Sequence, residues 1–194
     1  MRNEHAFLFD LDGTLVDSVY QHVLAWKSAL DSENIDPDRI ERLRRVHAAS
    51  YIALGRDVRP LPGARELLAF LTDAKIPWAI ATSGRMETAA VNLAALGVDP
   101  HQTPVVTRDE VRFAKPDPDL FLAAADRLGA GIERAIVVGD SIWDMLAATR
   151  CRALGVGLLS GGYGADELRQ AGAIRVYEDP ADLLNHIDEV GGRR

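Results

Sequence analysis

The sequence reads as an α/β protein: a doubly wound, mostly parallel sheet with a small all-helical insert near its start. Three observations carry that reading. Short apolar runs recur at His5–Phe9, Trp78–Thr82, Val105–Thr107, Ala135–Gly139, Ala153–Leu158 and Arg175–Tyr177, with helical patterns between most of them. Alternating strands and helices argue for a parallel sheet covered by helices on both faces. The runs Trp78-Ala79-Ile80-Ala81 and Ala135-Ile136-Val137-Val138 are nearly continuous in apolar character, as strands buried on both faces are. The stretch from Ser18 to Arg59, by contrast, holds no convincing strand.

Composition sets the outer bounds. A chain of 194 residues, 47% of them hydrophobic, suits one core with a small insert. The net charge is −7 and there is no basic stripe, so nucleic acid and anionic membrane are poor partners. No apolar run approaches the ~20 residues of a transmembrane helix. Met1–His5 lead straight into a strand, and no signal peptide is expected. Cys151 is the single cysteine, which rules out an internal disulfide and fits a cytoplasmic protein. No internal repeat or low-complexity segment is visible.

The first run continues as Phe7-Leu8-Phe9-Asp10-Leu11-Asp12-Gly13-Thr14. Asp10 falls at the strand's carboxyl end, where open α/β sheets place their ligands. The two-residue period lets Asp10 and Asp12 approach one site. Neighbouring carboxylates repel, so their pairing asks for a reason: a hard cation such as Mg2+, or a division of nucleophilic and acid/base roles. A surface turn or a calcium loop also uses these residue types.

In the insert, Asp17 or Ser18 is placed to cap a helix. Val19, Val23, Trp26 and Leu30 then form one helical stripe. The stretch from Asp31 to Pro37 breaks the pattern, and a second stripe follows at Ile40, Leu43, Val46 or His47, Ser50 and Leu54. Two antiparallel helices packed stripe to stripe are expected, with His22 and His47 as packing residues. The predicted division is a core of residues 1–17 and 60–194 and a helical cap of residues 18–59. An apolar stripe left exposed on so small a cap would favour a dimer over a monomer. Residues Arg59–Gly63 return the chain to the core, and Ala64, Leu67, Leu68 and Leu71 define the inner side of a helix over Ala64–Asp73.

The second buried run ends in Thr82-Ser83-Gly84, which puts a hydroxyl at a strand end. Ser83, Gly84 and Arg85 open a helical pattern whose free amides suit an anion. Further on, Pro116 drives Lys115 out of helical conformation. Asp117 is placed to cap the next helix, with Pro118 at its first position. Lys115 therefore projects from a rigid loop, where a point cation can neutralise phosphate and keep a carboxylate ionised. The fourth run ends in Gly139-Asp140, with Asp144 one helical turn on. Asp140 is the natural further oxygen donor to a metal, and Asp144 can act through a metal-bound water or hold Lys115. Trp143 reads as packing, Arg85 as a solvated helix-start residue, and the loop Gly161–Gly164 as backbone geometry. His5, His101 and His186 show no ligand spacing.

Taken together and in order, DLDGTLVDS at Asp10–Ser18, the Thr82-Ser83 pair, KPxPxxF at Lys115–Phe121 and GDSxxD at Gly139–Asp144 resemble the four motifs of the haloacid-dehalogenase-like (HAD) phosphohydrolases, in the phosphoglycolate-phosphatase-like branch. The resemblance implies a Rossmann-like core and an α-helical cap inserted after the first motif; residues 18–59 are shorter than the usual four-helix cap. It implies Asp10 as nucleophile and Asp12 as general acid/base. It implies Mg2+ held by the Asp10 side chain, the Asp12 backbone carbonyl and Asp140. Thr82, Lys115, Ser83 and Gly84 would then bind the phosphoryl group, with Asp144 behind them. The expected activity is hydrolysis of a small phosphorylated metabolite, phosphoglycolate or a sugar phosphate. Alternatives are a phosphosugar mutase of the same branch, which needs a cap that excludes water, and a poorly active binding protein on the same fold. Dehalogenation has no need of Asp12 and Asp140 around a metal. A two-component receiver domain would carry its acidic pair before its acceptor aspartate, the reverse of the order seen here.

Overall fold

The computed structural model describes residues 5–31 and 40–192. The strands are β1 (Ala6–Phe9), β2 (Val16–Asp17), β3 (Arg59–Pro60), β4 (Trp78–Ala81), β5 (Val105–Val106), β6 (Ala135–Gly139), β7 (Leu154–Leu158) and β8 (Ala173–Tyr177). The helices are α1 (Val19–Asp31), α2 (Ile40–Leu54), α3 (Ala64–Asp73), α4 (Met86–Leu96), α5 (Asp119–Leu128), α6 (Ile142–Arg150), α7 (Ala165–Gln170) and α8 (Pro180–Asn185). Six strands form one parallel sheet in the order β5-β4-β1-β6-β7-β8. The chain leaves β1 to build one side of the sheet and returns to build the other. The crevice above the carboxyl ends of β4, β1 and β6 is thus the topological switch point, the usual ligand site of such sheets.

Side chains alternate across the sheet. Phe7 and Phe9 face one side, with Ile80, Ile136 and Val138, and pack on Leu67 and Leu71 of α3, Leu93 of α4 and Leu183 of α8. Leu8 faces the other, with Ala79, Ala81 and Val137, beneath Leu120, Phe121 and Ala124 of α5 and Ala147 and Ala148 of α6. All of β1 is buried, so any shift of register would turn its side chains to the wrong layer. Ala64, Leu67, Leu68 and Leu71 are the buried residues of α3, as their spacing predicts.

Three expectations are corrected. The first concerns α5, which begins at Asp119 with Pro118 before it and no side-chain cap. A turn closed by the Asp117 amide on the Ala114 carbonyl (3.0 Å) occupies the residues before it. The Asp117 carboxylate accepts from Arg150 at 3.2 Å instead of capping. The second concerns α1. Val19, Val23 and Trp26 are exposed, whereas Ala25 and Ala29 are fully buried. The small residues let α1 approach α2, whose Tyr51 is fully buried. The stripe read from the larger apolar residues therefore lies off the true contact face; the Leu30 and Ile40 side chains and the predicted break at residues 32–37 lie outside the described residues. The third is a strand pair that sequence reading missed. Val16 and Asp17 pair antiparallel with Pro60 and Arg59, tying together the two chain segments that enter and leave the helical pair. A ladder of two residues has no period to detect.

Phe121 links fold to site, because the Lys115 ammonium lies 4.8 Å from its ring centroid. Phe121→Ala is expected to cost about 3–5 kcal/mol of stability, and Phe121→Leu much less. Urea denaturation of both variants checks this.

Candidate active site

Three adjacent strands deliver the site. Asp10, Thr82 and Asp140 each follow the last residue of β1, β4 and β6. The strand ends are rigid because their flanks are buried, so these side chains have little freedom to drift. Lys115 arrives from the loop before α5 and Asp144 from the first turn of α6. Ser141 caps that helix and is bound in turn by the Asp144 carboxylate, which accepts the Ser141 amide at 3.1 Å.

Lys115 pairs with Asp10 Oδ1, and lies 2.8 Å from Asp144 Oδ1. All three side chains are nine-tenths buried or more. The Thr14 hydroxyl lies 2.7 Å from Asp140 Oδ1 and 3.3 Å from Asp10 Oδ2, and its one proton goes to the nearer oxygen. Oxygens of Asp10, Asp140 and Asp144 come within 4.8 Å of one another. Neighbouring backbone is pressed against this group. A Cβ on Gly13, whose φ is +83°, would lie 2.6 Å from Asp140 Oδ2, and one on Gly161 would lie 1.7 Å from it. Ser160 donates to the Gly13 carbonyl at 2.6 Å. Ser160 and Gly161 thus press against Asp140 and the turn at Gly13.

Burial pushes the Asp10 carboxyl up to about 7; the Lys115 charge opposes this, and the Asp144 and Asp12 charges add to it. Burial, reinforced by Asp10 and Asp144, holds Asp140 well above the ordinary carboxylate range. Burial alone would lower the Lys115 value, but Asp10 and Asp144 outweigh it and raise it. One ammonium cannot offset three buried carboxylates, and the excess negative charge is what a hard cation would neutralise.

Asp12 belongs to a second cluster. Its Oδ1 accepts from Ser18 Oγ (2.6 Å) and Asn92 Nδ2 (2.6 Å), with His22 Nε2 at 3.1 Å and the Tyr51 hydroxyl at 3.4 Å. Its Oδ2 faces the Thr82 hydroxyl at 3.5 Å. Burial would raise Asp12, but the His22 and Ser18 contacts prevail and hold it below its ordinary value. Tyr51 is pushed up, by burial and by the Asp12 charge.

His22 therefore reaches the site, where only packing was expected. It also stacks on Tyr51 (4.0 Å between centroids), and its Nδ1 lies 3.3 Å from His47 Nε2. Trp143 is not packing either; it is exposed and, with Trp26, lines a cavity of about 850 Å3 above the carboxylates. Arg85 pairs with Asp109 at 3.3 Å on the same wall. Ser83 and Gly84 line the cavity, but the Gly84 amide is already bound to Thr82 Oγ1 at 2.9 Å. Helix α4 starts only at Met86, so these amides belong to a loop. Asn92 and Tyr51 were missed altogether. The available signal was a lone amide within the apolar run Ala89–Leu96.

Comparison with known proteins shows the family. A family model described as haloacid dehalogenase-like hydrolase matches residues 30–152. The chain belongs to the haloacid dehalogenase-like hydrolases. A hydrolase from Pseudomonas syringae superposes with a TM-score of 0.91 at 52% identity, covering 95% of this chain and 98% of that one. Hexitol phosphatase A of Escherichia coli is 32% identical over 77% of this chain and 82% of its own length. Phosphoglycolate phosphatase of Caulobacter vibrioides is 28% identical over 93% and 90%. Among the described residues no helix is long and apolar enough to cross a membrane.

Without metal, the folded hydrolase keeps a proton on Asp10 between the ordinary carboxylate value near 4 and its own value of about 7, where the unfolded chain has released it. That contribution to stability is complete below the lower value and is lost as pH rises through the higher one. Asp12 has the opposite sign, but acts only below its ordinary value of 3.8. Chelator-treated protein should therefore melt at a lower temperature near pH ~8 than near pH ~5. Asp140→Asn should flatten this fall and add about 0.5–2 kcal/mol at the higher pH. Calorimetry across the range checks both.

Proposed function

We propose that this chain is a Mg2+-dependent phosphatase. It hydrolyses small phosphate monoesters, of the phosphoglycolate or sugar-phosphate type, through an aspartyl phosphate on Asp10. The observation that carries this reading is the buried pairing of Asp10 with Lys115 beside Asp140, with Asp12 held apart from both. The family membership and the relatives named as phosphatases support it.

The donors fit the ion. They are carboxylate oxygens, buried and mutually close, in excess over the local positive charge. The Asp10 and Asp140 carboxylates would hold Mg2+, with the Asp12 backbone carbonyl as the family pattern implies. When bound, it would supply positive charge against the repulsion between Asp10 and a phosphate dianion. Asp144 serves through Lys115, which it grips at 2.8 Å.

Lys115 favours the ionised form of Asp10 against its burial and gathers charge from the phosphoryl oxygens, as does the Thr82 hydroxyl. Asp10 attacks phosphorus in line with the departing oxygen. Asp12 gives that oxygen a proton and later takes one from the water that hydrolyses the intermediate. Trp26 and Trp143 bound the space above for the rest of the substrate. The enzyme is proposed to work in the cytoplasm as a monomer or homodimer.

Phosphate release from a panel of phosphoglycolate, hexitol and sugar phosphates tests this. Asp10→Asn should fall below about one-thousandth of the parent rate while remaining folded; undiminished turnover would overturn the mechanism. Mg2+ should raise the melting temperature of the parent and do so much less in Asp140→Asn. An equal rise in both would exclude Asp140 as a ligand.

A further inference from the structure

The two oxygens of Asp12 have different surroundings. Oδ1 receives Ser18 and Asn92 at 2.6 Å each, with His22 and Tyr51 close behind. Oδ2 has Thr82 Oγ1 at 3.5 Å, and a Cβ on Gly84 would lie 3.8 Å from it. Thr82 follows β4, which pairs with β1 just before Asp10, so Oδ2 is the oxygen on the side of the proposed phosphoryl site.

The polarity of the chain behind Oδ1 follows from donor inventories. A carboxylate only accepts, so Asn92 must turn its amide nitrogen to Asp12 and its oxygen away. That oxygen lies 2.8 Å from the Tyr51 hydroxyl, which must then donate to it. Tyr51 has one proton, and its 3.4 Å approach to Asp12 is a contact. Asn92 is 1% exposed and Tyr51 fully buried. Both are shielded from bulk solvent, and a flipped amide would set its oxygen against the Asp12 carboxylate oxygen. The orientation of this buried amide on α4 is thus set by Asp12, and the Tyr51 hydroxyl of α2 satisfies the amide oxygen that is left.

We infer that Asn92 and Tyr51 are positioning residues for Asp12: they commit Oδ1 to fixed donors and leave Oδ2 to pass the proton. This rests on the acid/base reading of Asp12 given above. As the bond from phosphorus to the leaving oxygen breaks, that oxygen keeps the electron pair and takes the proton from Oδ2. In the second step a water oxygen bonds to phosphorus, its proton moves to Oδ2, and the bond from phosphorus to Asp10 breaks. Without the amide, the carboxylate can rotate about Cβ–Cγ, and Oδ2 no longer dwells where the leaving oxygen departs.

The test uses leaving groups that differ in their need for a proton. With Mg2+ present, kcat/KM is measured for the best alkyl phosphate of the panel and for 2,4-dinitrophenyl phosphate, whose phenolate departs unaided. The ratio of the two should fall about 10–100-fold in Asn92→Ala, less in Tyr51→Phe, and most in Asp12→Asn. Tyr51→Phe removes one oxygen only and carries the test should Asn92→Ala fail to fold. An unchanged ratio in the positioning variants, whether both substrates slow together or neither does, with the ratio collapsed in Asp12→Asn, overturns the inference and leaves the acid/base reading standing. An unchanged ratio in Asp12→Asn overturns that reading, and the inference with it.

Discussion

The contact on which the site depends is the buried pairing of Lys115 with Asp10 and Asp144. A lysine this deep would lose its charge in apolar surroundings; here two carboxylates keep it ionised. In exchange, the ammonium lets carboxylates exist at the bottom of a cleft where burial disfavours them. The arrangement remains negative in sum, because Asp140 adds a third carboxylate, which accepts a threonine hydroxyl. A structure selected for stability alone would not keep such a cluster. Held in a buried crevice, these carboxylates form a group that could hold a metal ion.

Everything around the cluster serves to hold it still. The strand ends fix Asp10 and Asp140, and the two faces of the sheet bury their neighbours almost completely. Phe121 places a ring under the Lys115 ammonium. Ser141 binds Asp144 while capping its helix. Gly13 and Gly161 bring backbone too close to Asp140 for any side chain to intervene. Charges held in this way are preorganised and need little rearrangement.

The helical pair of α1 and α2 does more than cover the crevice. His22 of α1 and Tyr51 of α2 approach Asp12, as does Ser18 just before α1. Asn92 of α4 reaches the same oxygen of Asp12. Asp10 and Asp12 are therefore supported by separate sets of neighbours, and their environments push Asp10 up and Asp12 down. Two carboxylates two residues apart acquire different characters because one faces a lysine loop and the other a ring of hydroxyl, amide and imidazole donors.

The alternating pattern, the buried runs and the acids at their ends were enough to read the sheet, its helices and the strand-end residues Asp10, Thr82 and Asp140. Period and burial are local properties, and a strand enclosed on both faces declares itself in its own residues. Lys115 and Asp144 were legible for a related reason, since a proline and a helix turn restrict where each can point. The sequence alone could not decide which face of α1 is buried. The larger residues Val19, Val23 and Trp26 make the more conspicuous stripe, yet Ala25 and Ala29 are the ones that fit against α2. Nor could it reveal that His22, Tyr51 and Asn92 meet at Asp12 across separations of 10, 39 and 80 residues. No local period links them. They come together because one buried carboxylate oxygen must be satisfied, and only the packed chain brings those donors within reach.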